Sequence, residues 1–330
     1  MNIFNQNHTI YVAGSEGMVG SAICRLLKKK GYKDKGKKLV TIPRRELDLR
    51  DEKKLEDWFD STKPDIVIIA AAKVGGILAN KQKPVDFLLD NLKIQNNLIE
   101  KSYKFGVKRL LFLGSSCIYP KFAKQPIKEN YLLTDYLEST NEYYAIAKIA
   151  GLKLCEAFRR QYDFDAITLM PTNLYGPKDN YDPKESHVMA AFIRKFYEAK
   201  KYNKKQVICW GTGKPLREFL YVDDLAEACL FILENWFPVN NDSKSNTKED
   251  KTCWLNVGSE NEISIKNLAE KISRIISYEG EIIWDTNMPD GTPRKKLDTR
   301  KINKIGWSAK TDLKEGIEKT IKSFEQEIRI

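Results

Sequence analysis

Short, nearly unbroken apolar runs occupy Thr9–Ala13, Lys38–Ile42, Asp65–Ala72, Lys108–Leu113 and Asp165–Met170. Between them, Met18–Lys30, Asp51–Asp60, Asp86–Tyr103 and Glu142–Tyr162 read as helices. A strand that is apolar at successive positions fits a parallel sheet covered on both faces. The alternation therefore predicts an α/β fold: a Rossmann-type doubly wound parallel sheet with right-handed crossovers.

After Pro171 the pattern changes. Helices are expected at Val188–Lys200, Val222–Asn235, Ser264–Ser277 and Leu313–Glu327, with strands at Gln206–Trp210, Thr252–Val257 and Glu281–Trp284. The polar stretch Val239–Lys251 reads as a mobile surface loop. The expected division is a dinucleotide-binding domain over 1–177, joined again by about 217–237, and a smaller mixed α/β C-terminal substrate lobe over most of 178–330.

Composition narrows the class. With 42% hydrophobic and 31% charged residues, the chain is too apolar for disorder. No stretch approaches the ~18 apolar residues of a membrane span. Met1–His8 is polar and lacks an apolar signal core, so a cytoplasmic location is expected. The six cysteines (Cys24, Cys117, Cys155, Cys209, Cys229 and Cys253) form no CxxC pair, and the two histidines are His8 and His187. Reduced thiols and no metal site are the expectation. The net charge of +11 attracts polyanions. Its lysines fall in short runs such as Lys28–Lys30 and Lys200–Lys201, with no nucleic-acid-binding motif beside them, so phosphate-rich small molecules are the expected partners.

The first run ends at Gly14-Ser15-Glu16-Gly17-Met18-Val19-Gly20, which opens a helix. A glycine-rich strand-to-helix turn lets backbone approach a pyrophosphate, and the helix N-terminus presents free N–H groups to it. The second strand ends in Pro43-Arg44-Arg45. Guanidinium there suits the 2′-phosphate of NADP, while Glu46 and Asp48 keep NAD open. Tyr144 and Lys148 stand at i and i+4 on one helix face. A tyrosine, with an ordinary pKa of about 10, needs help to move protons at neutral pH, and a nearby ammonium is expected to lower it. Ser115, just past the fourth strand in Leu113-Gly114-Ser115-Ser116-Cys117-Ile118-Tyr119-Pro120, completes a Ser-Tyr-Lys set that can polarise a carbonyl.

With these stretches go Ala70-Ala71-Ala72-Lys73-Val74-Gly75-Gly76, Met170–Pro177, Ser186-His187-Val188, Arg217-Glu218-Phe219-Leu220 and Pro289–Lys295. Together they make the chain resemble the extended short-chain dehydrogenases, and within them the GDP-L-fucose synthases, the 3,5-epimerase-4-reductases of GDP-4-keto-6-deoxy-D-mannose. The resemblance implies NADPH as hydride donor, a GDP-sugar as substrate and a homodimer packed through Asp86–Tyr103 and Glu142–Tyr162. It implies Tyr144, Lys148 and Ser115 for reduction, and Cys117 and His187 as proton-transfer groups at C3 and C5. It places the cofactor on Gly14, Ser15, Glu16, Gly17, Met18, Val19 and Gly20. Arg44, Arg45, Glu46, Leu47, Asp48 and Leu49 would follow at the second strand, and Leu113, Gly114, Ser115 and Ser116 at the fourth. Lys148, Pro171, Thr172, Asn173, Leu174 and His187 complete the cofactor set. For the substrate it implies Asn173, Lys195, Trp210, Arg217 and Asp290. Two positions depart from the pattern: Glu16 stands where some members carry arginine, and Tyr143 replaces the usual proline.

Overall fold

Six parallel strands form the central sheet in the order β2-β1-β3-β4-β5-β9. They are β1 (Thr9–Ala13), β2 (Lys38–Val40), β3 (Ile66–Ile69), β4 (Arg109–Leu113), β5 (Ala166–Pro171) and β9 (Trp254–Val257). The computed structural model describes residues 8–33, 38–238, 252–288 and 290–328. The expected loop Val239–Lys251 lies outside the described residues.

The apolar runs are continuous because each strand feeds two cores. Ile10, Val12, Ile66, Ile68, Leu111 and Leu113 face one side, where α1 (Met18–Lys29), α7 (Val222–Asn235) and α9 (Arg300–Ile305) contribute Leu27, Leu225 and Ile302. Tyr11, Ala13, Val67, Ile69, Leu110 and Phe112 face the other, against α2 (Glu52–Thr62), α4 (Pro84–Lys104) and α5 (Glu142–Tyr162). Side chains alternate across a strand, so an unbroken apolar run is the signature of a sheet buried twice. The lysine runs sit where the chain can solvate them: Lys28 and Lys29 in the last turn of α1, Lys200 and Lys201 in that of α6 (Val188–Lys201).

A second lobe packs α6, α8 (Ile265–Ile276) and α10 (Leu313–Glu327) around their own core, which includes Phe196, Ile272 and Ile317. Its strands β7 (Gln206–Trp210) and β11 (Glu281–Asp285) pair in parallel. Four short strands went unforeseen: β6 (Asn173–Tyr175), β8 (Leu216–Tyr221), β10 (Glu262–Ser264) and β12 (Arg294–Lys295), with β8 bonded to the other three. Three of them are too short for a period, and β8 hides behind charged letters. Glu218 in it is wholly buried, its carboxylate accepting the N–H groups of Glu260 at 2.7 Å and Leu297 at 3.0 Å. The short α3 (Ile77–Gln82) ahead of Pro84 was also unforeseen. Beyond 217–237, Trp254–Val257 and α9 also lie with the large sheet, so the chain returns to it more than once.

The segment after β4 is anchored by one buried side chain. Asn256 on β9 accepts from the Tyr119 hydroxyl at 2.6 Å and donates to the carbonyls of Ile127 at 2.9 Å and Asp298 at 3.3 Å. Its own N–H donates to the Glu129 carboxylate at 3.1 Å. Asn256→Ala strands several buried partners and should destabilise the fold by about 2–3 kcal/mol. The check is the midpoint of urea unfolding, and an unchanged midpoint would show that this cluster carries no stability.

Candidate active site

The strand order reverses between β1 and β3, which opens a crevice at their carboxyl ends. Gly14 turns there with φ +83°, and its carbonyl accepts the Gly17 N–H at 3.1 Å. A Cβ on Gly14 would stand 2.7 Å from Ala71, and one on Gly20 would stand 2.1 Å from the Gly14 carbonyl oxygen. These two glycines are required by the fold itself. Gly17 is not: a Cβ there meets the protein only at ordinary contact distance, 3.6 Å. Gly17 stands at the N-cap of α1, which has no side-chain cap. The open backbone and unsatisfied N–H groups fit a diphosphate. Ser15 is half-buried at this turn, and Met18 and Val19 pack back onto the sheet.

At the end of β2, Arg44, Arg45 and Glu46 are exposed. The Glu16 carboxylate accepts the Arg44 main-chain N–H at 3.4 Å. Asp48, expected to leave a ribose contact open, is held in a fork by Arg50, with contacts of 2.6 to 3.1 Å. That hydrogen bonding holds its carboxyl down at about 2. Arg50 is itself tied to Asp90 at 2.8 Å. A carboxylate so engaged is a poor partner for a 2′-hydroxyl, whereas the exposed guanidinium of Arg44 is of the chemical type that binds a 2′-phosphate. Leu47 is in the core and Leu49 packs on it, so either would meet a cofactor only through its main chain.

Ser115, Tyr144 and Lys148 come together at the end of β4. Lys148 is buried on α5, its Nζ donating to the Leu113 carbonyl at 2.8 Å and lying 4.7 Å from the Phe112 ring centre. Burial pulls its pKa down to about 7. The Tyr144 ring centre is 6.0 Å from that Nζ. Burial, and then Cys117, raise the Tyr144 phenol above its ordinary range, against a hydrogen bond with Ser115. The expected lowering of the phenol by Lys148 is not what this arrangement does. Desolvation acts on both groups, and the amine is aimed at a carbonyl. Gly114 and Ser116 flank Ser115, with Ser116 buried. Pro171, Thr172, Asn173 and Leu174 leave the end of β5 nearby. Thr172 and Asn173 donate to the Glu218 carbonyl at 3.2 and 2.7 Å.

A cleft of about 290 Å³ runs from this point into the second lobe. Cys117, Tyr144, Asn173 and His187 line it, together with Lys195, Trp210, Arg217 and Asp290. Cys117 follows Ser115 in a short 3-10 turn, and the Ser115 Oγ accepts the Cys117 N–H at 3.2 Å. His187 is the N-cap residue of α6, open to the cleft. Crowding by the protein, then Lys295, lower its pKa. Within the cleft, Lys195 Nζ lies 5.3 Å from the half-exposed Trp210 ring and donates to the Ile208 carbonyl at 2.9 Å. Desolvation lowers the pKa of both Lys195 and Arg217. Asp290 has both carboxylate oxygens on Thr212, each at 2.7 Å, so it shapes the cleft as well as lining it.

Two residues of the site escaped the sequence reading. Lys295 lies beside Cys117 across 178 positions of chain, a distance no local spacing reveals. Asn141 precedes α5, and its amide donates to the Cys117 sulfur at 3.4 Å instead of capping the helix. Among the described residues, no three His, Cys, Asp or Glu side chains are grouped to hold a metal ion.

Arg44→Ala should weaken NADPH about tenfold or more while leaving NADH nearly unchanged, as loss of a charge-assisted phosphate contact does. Titration of each cofactor by fluorescence measures this, and equal losses would remove Arg44 as the phosphate reader.

Residues 10–243 match the NAD dependent epimerase/dehydratase family. GDP-L-fucose synthase 1 of Arabidopsis thaliana is 50% identical over 94% of this chain and 91% of its own length. GDP-L-fucose synthase of Escherichia coli K12 is 45% identical over 96% of each chain. A solved GDP-L-fucose synthetase from Naegleria fowleri, bound to NADP, superposes with a TM-score of 0.85 at 27% identity, covering 98% of this chain and 96% of that one. The glycine turn, the Ser-Tyr-Lys group and these relatives agree: the chain belongs to the NAD dependent epimerase/dehydratase family, on its GDP-L-fucose synthase branch.

Proposed function

We propose that the protein epimerises GDP-4-keto-6-deoxy-D-mannose at C3 and C5 and then reduces C4 with NADPH, giving GDP-L-fucose. One observation carries this reading: Cys117 and His187 share with Tyr144 a cleft that also bears Lys195, Trp210 and Arg217. A simple 4-reductase needs no acid and base at C3 and C5.

The ketone at C4 acidifies the neighbouring carbons. Cys117 and His187 remove and return protons there; a thiol and an imidazole both titrate close enough to neutral pH to serve. Ser115 and Tyr144 donate to the oxygen on which enolate charge develops. Tyr144 then protonates that oxygen when C4 is reduced. The bound nicotinamide supplies the hydride. Lys148, whose Nζ lies 6.0 Å from the Tyr144 ring centre, would hold the nicotinamide ribose. Arg217 and Lys195 neutralise the diphosphate, and Trp210 offers a stacking face. Asp290 orders the turn that carries Thr212.

The exposed faces of α4 and α5 support a homodimer. Val85, Leu89 and Tyr103 on α4 and Ile146 and Tyr162 on α5 are large, apolar and exposed, and Tyr103 stacks on Tyr162 with centroids 4.7 Å apart. A monomer mass in solution at micromolar concentration would count against it. The six free cysteines support a reducing, cytoplasmic setting; recovery of the native protein from an oxidising compartment would oppose it.

Incubation with GDP-4-keto-6-deoxymannose and NADPH should oxidise the cofactor and yield GDP-L-fucose, identified by NMR. Turnover of a UDP- or dTDP-sugar instead would sink the reading. Tyr144→Phe should lower reduction by about 10²–10⁴-fold, the scale of a lost general acid. Cys117→Ser should suppress solvent-deuterium incorporation at C3 and C5, and unchanged incorporation would make the cysteine structural.

A further inference from the structure

Cys117 differs physically from the other five cysteines. Those five are buried, and burial pushes Cys24 and Cys209, for example, up to about 11. Cys117 opens to the cleft and its sulfur has two donors: the Lys295 ammonium at 3.5 Å and the Asn141 amide at 3.4 Å. Donors converging on a sulfur favour the thiolate, which accepts where a neutral thiol is a weak acceptor. Asparagine is a strong N-cap residue, so the absence of a cap bond from Asn141 is informative. Its amide serves the sulfur rather than the helix, and its carbonyl oxygen is buried without a partner.

We propose that Lys295, assisted by Asn141, holds Cys117 as a thiolate before substrate arrives, making the sulfur rather than the His187 imidazole the base that opens epimerisation. The proposal rests on the reading of Cys117 given above and adds a positioning residue to it, since Lys295 acts through the sulfur. The proton leaving the sugar carbon ends on Sγ, and the electron pair stays in the enolate beside Ser115 and Tyr144.

The surroundings agree in sign. Lys295 on β12, Arg217 on β8 and Tyr144 on α5 face the sulfur; His187 at the start of α6 and Glu138 ahead of α5 line the same cleft, and Asp290 acts on Arg217. Burial opposes the thiolate, but Lys295, the Ser115 contact and Arg217 outweigh it, and the Cys117 pKa falls. Desolvation, and then the same Lys295, also lower the pKa of His187.

The test is alkylation of Cys117 by iodoacetamide as a function of pH in the full-length protein without substrate, with the adduct located by peptide mass spectrometry. The midpoint should lie below the ~8.5 of a free thiol. Lys295→Met should raise it by a pH unit or more, about a tenfold loss of thiolate at pH 7. Lys295→Arg, which keeps the charge, should restore most of the shift, and Asn141→Ala should raise the midpoint by less. Lys295→Gln serves if the Met variant does not fold, judged by retained NADPH affinity. An unmoved midpoint in Lys295→Met or Lys295→Gln, or an equal rise in Lys295→Arg, overturns the proposal. Because alkylation needs no substrate, the expected shifts in a protein inert towards the GDP-sugar would overturn the proposed function while leaving the thiolate assignment standing. An unmoved midpoint in an active enzyme would do the reverse.

Discussion

The contact between the buried Lys148 ammonium and the Leu113 carbonyl, at 2.8 Å, joins the long helix α5 to the end of strand β4. Leu113 is followed by Gly114, Ser115, Ser116 and Cys117, and Lys148 lies one helical turn beyond Tyr144. Fixing this one pair fixes how the phenol meets the serine and the cysteine. The contact is made at an energetic cost. An amine removed from water loses charge, and here its pKa is drawn down to about 7. A buried lysine poised near neutrality responds strongly to any group that enters beside it, which is a useful property in a cofactor site.

The same balance of burial against charge recurs through the cleft. Lys195 and Arg217 are partly desolvated, and both have lowered pKa values. Cations held against that penalty favour an anionic ligand, because a diphosphate returns the charge compensation that water would have given. The overall charge of +11 is thus less informative than its placement. Much of the lysine lies on exposed helix ends, while a few cations line the cleft.

Around the site, buried polar groups hold loops that no apolar core could place. Asn256 and Glu129 pin the segment that follows Cys117. Glu218 reaches from β8 to the N–H of Leu297, two residues past Lys295. Burial raises the pKa of both carboxyls, and each is held by main-chain N–H groups. Hydrogen bonds of this kind are directional, so they set loop position more finely than packing does.

The order of letters alone determined much of this protein. Apolar runs such as Asp65–Ala72 announced strands covered on both faces, and the glycine turn at Gly14–Gly20 marked the dinucleotide end. Tyr144 and Lys148 were legible because helical spacing is local, and Ser115 and Cys117 because they follow a strand end. What the letters could not show depends on contacts between distant segments. Lys295 comes to Cys117 only when β12 joins β8, and β8 was hidden because its buried Glu218 breaks the apolar pattern. Asn141 carried no signal of its own, and only packing brings its amide to the sulfur. Asp48 was open to a ribose until Arg50, itself tied to Asp90, engaged it, and the spacing of Lys148 and Tyr144 pointed to an acidified phenol until burial shifted both the other way. Periodicity encodes which face is buried, so sequence determines layers. Charge states and cross-lobe contacts depend on solvent exclusion and distance in three dimensions, so only the tertiary structure decides them.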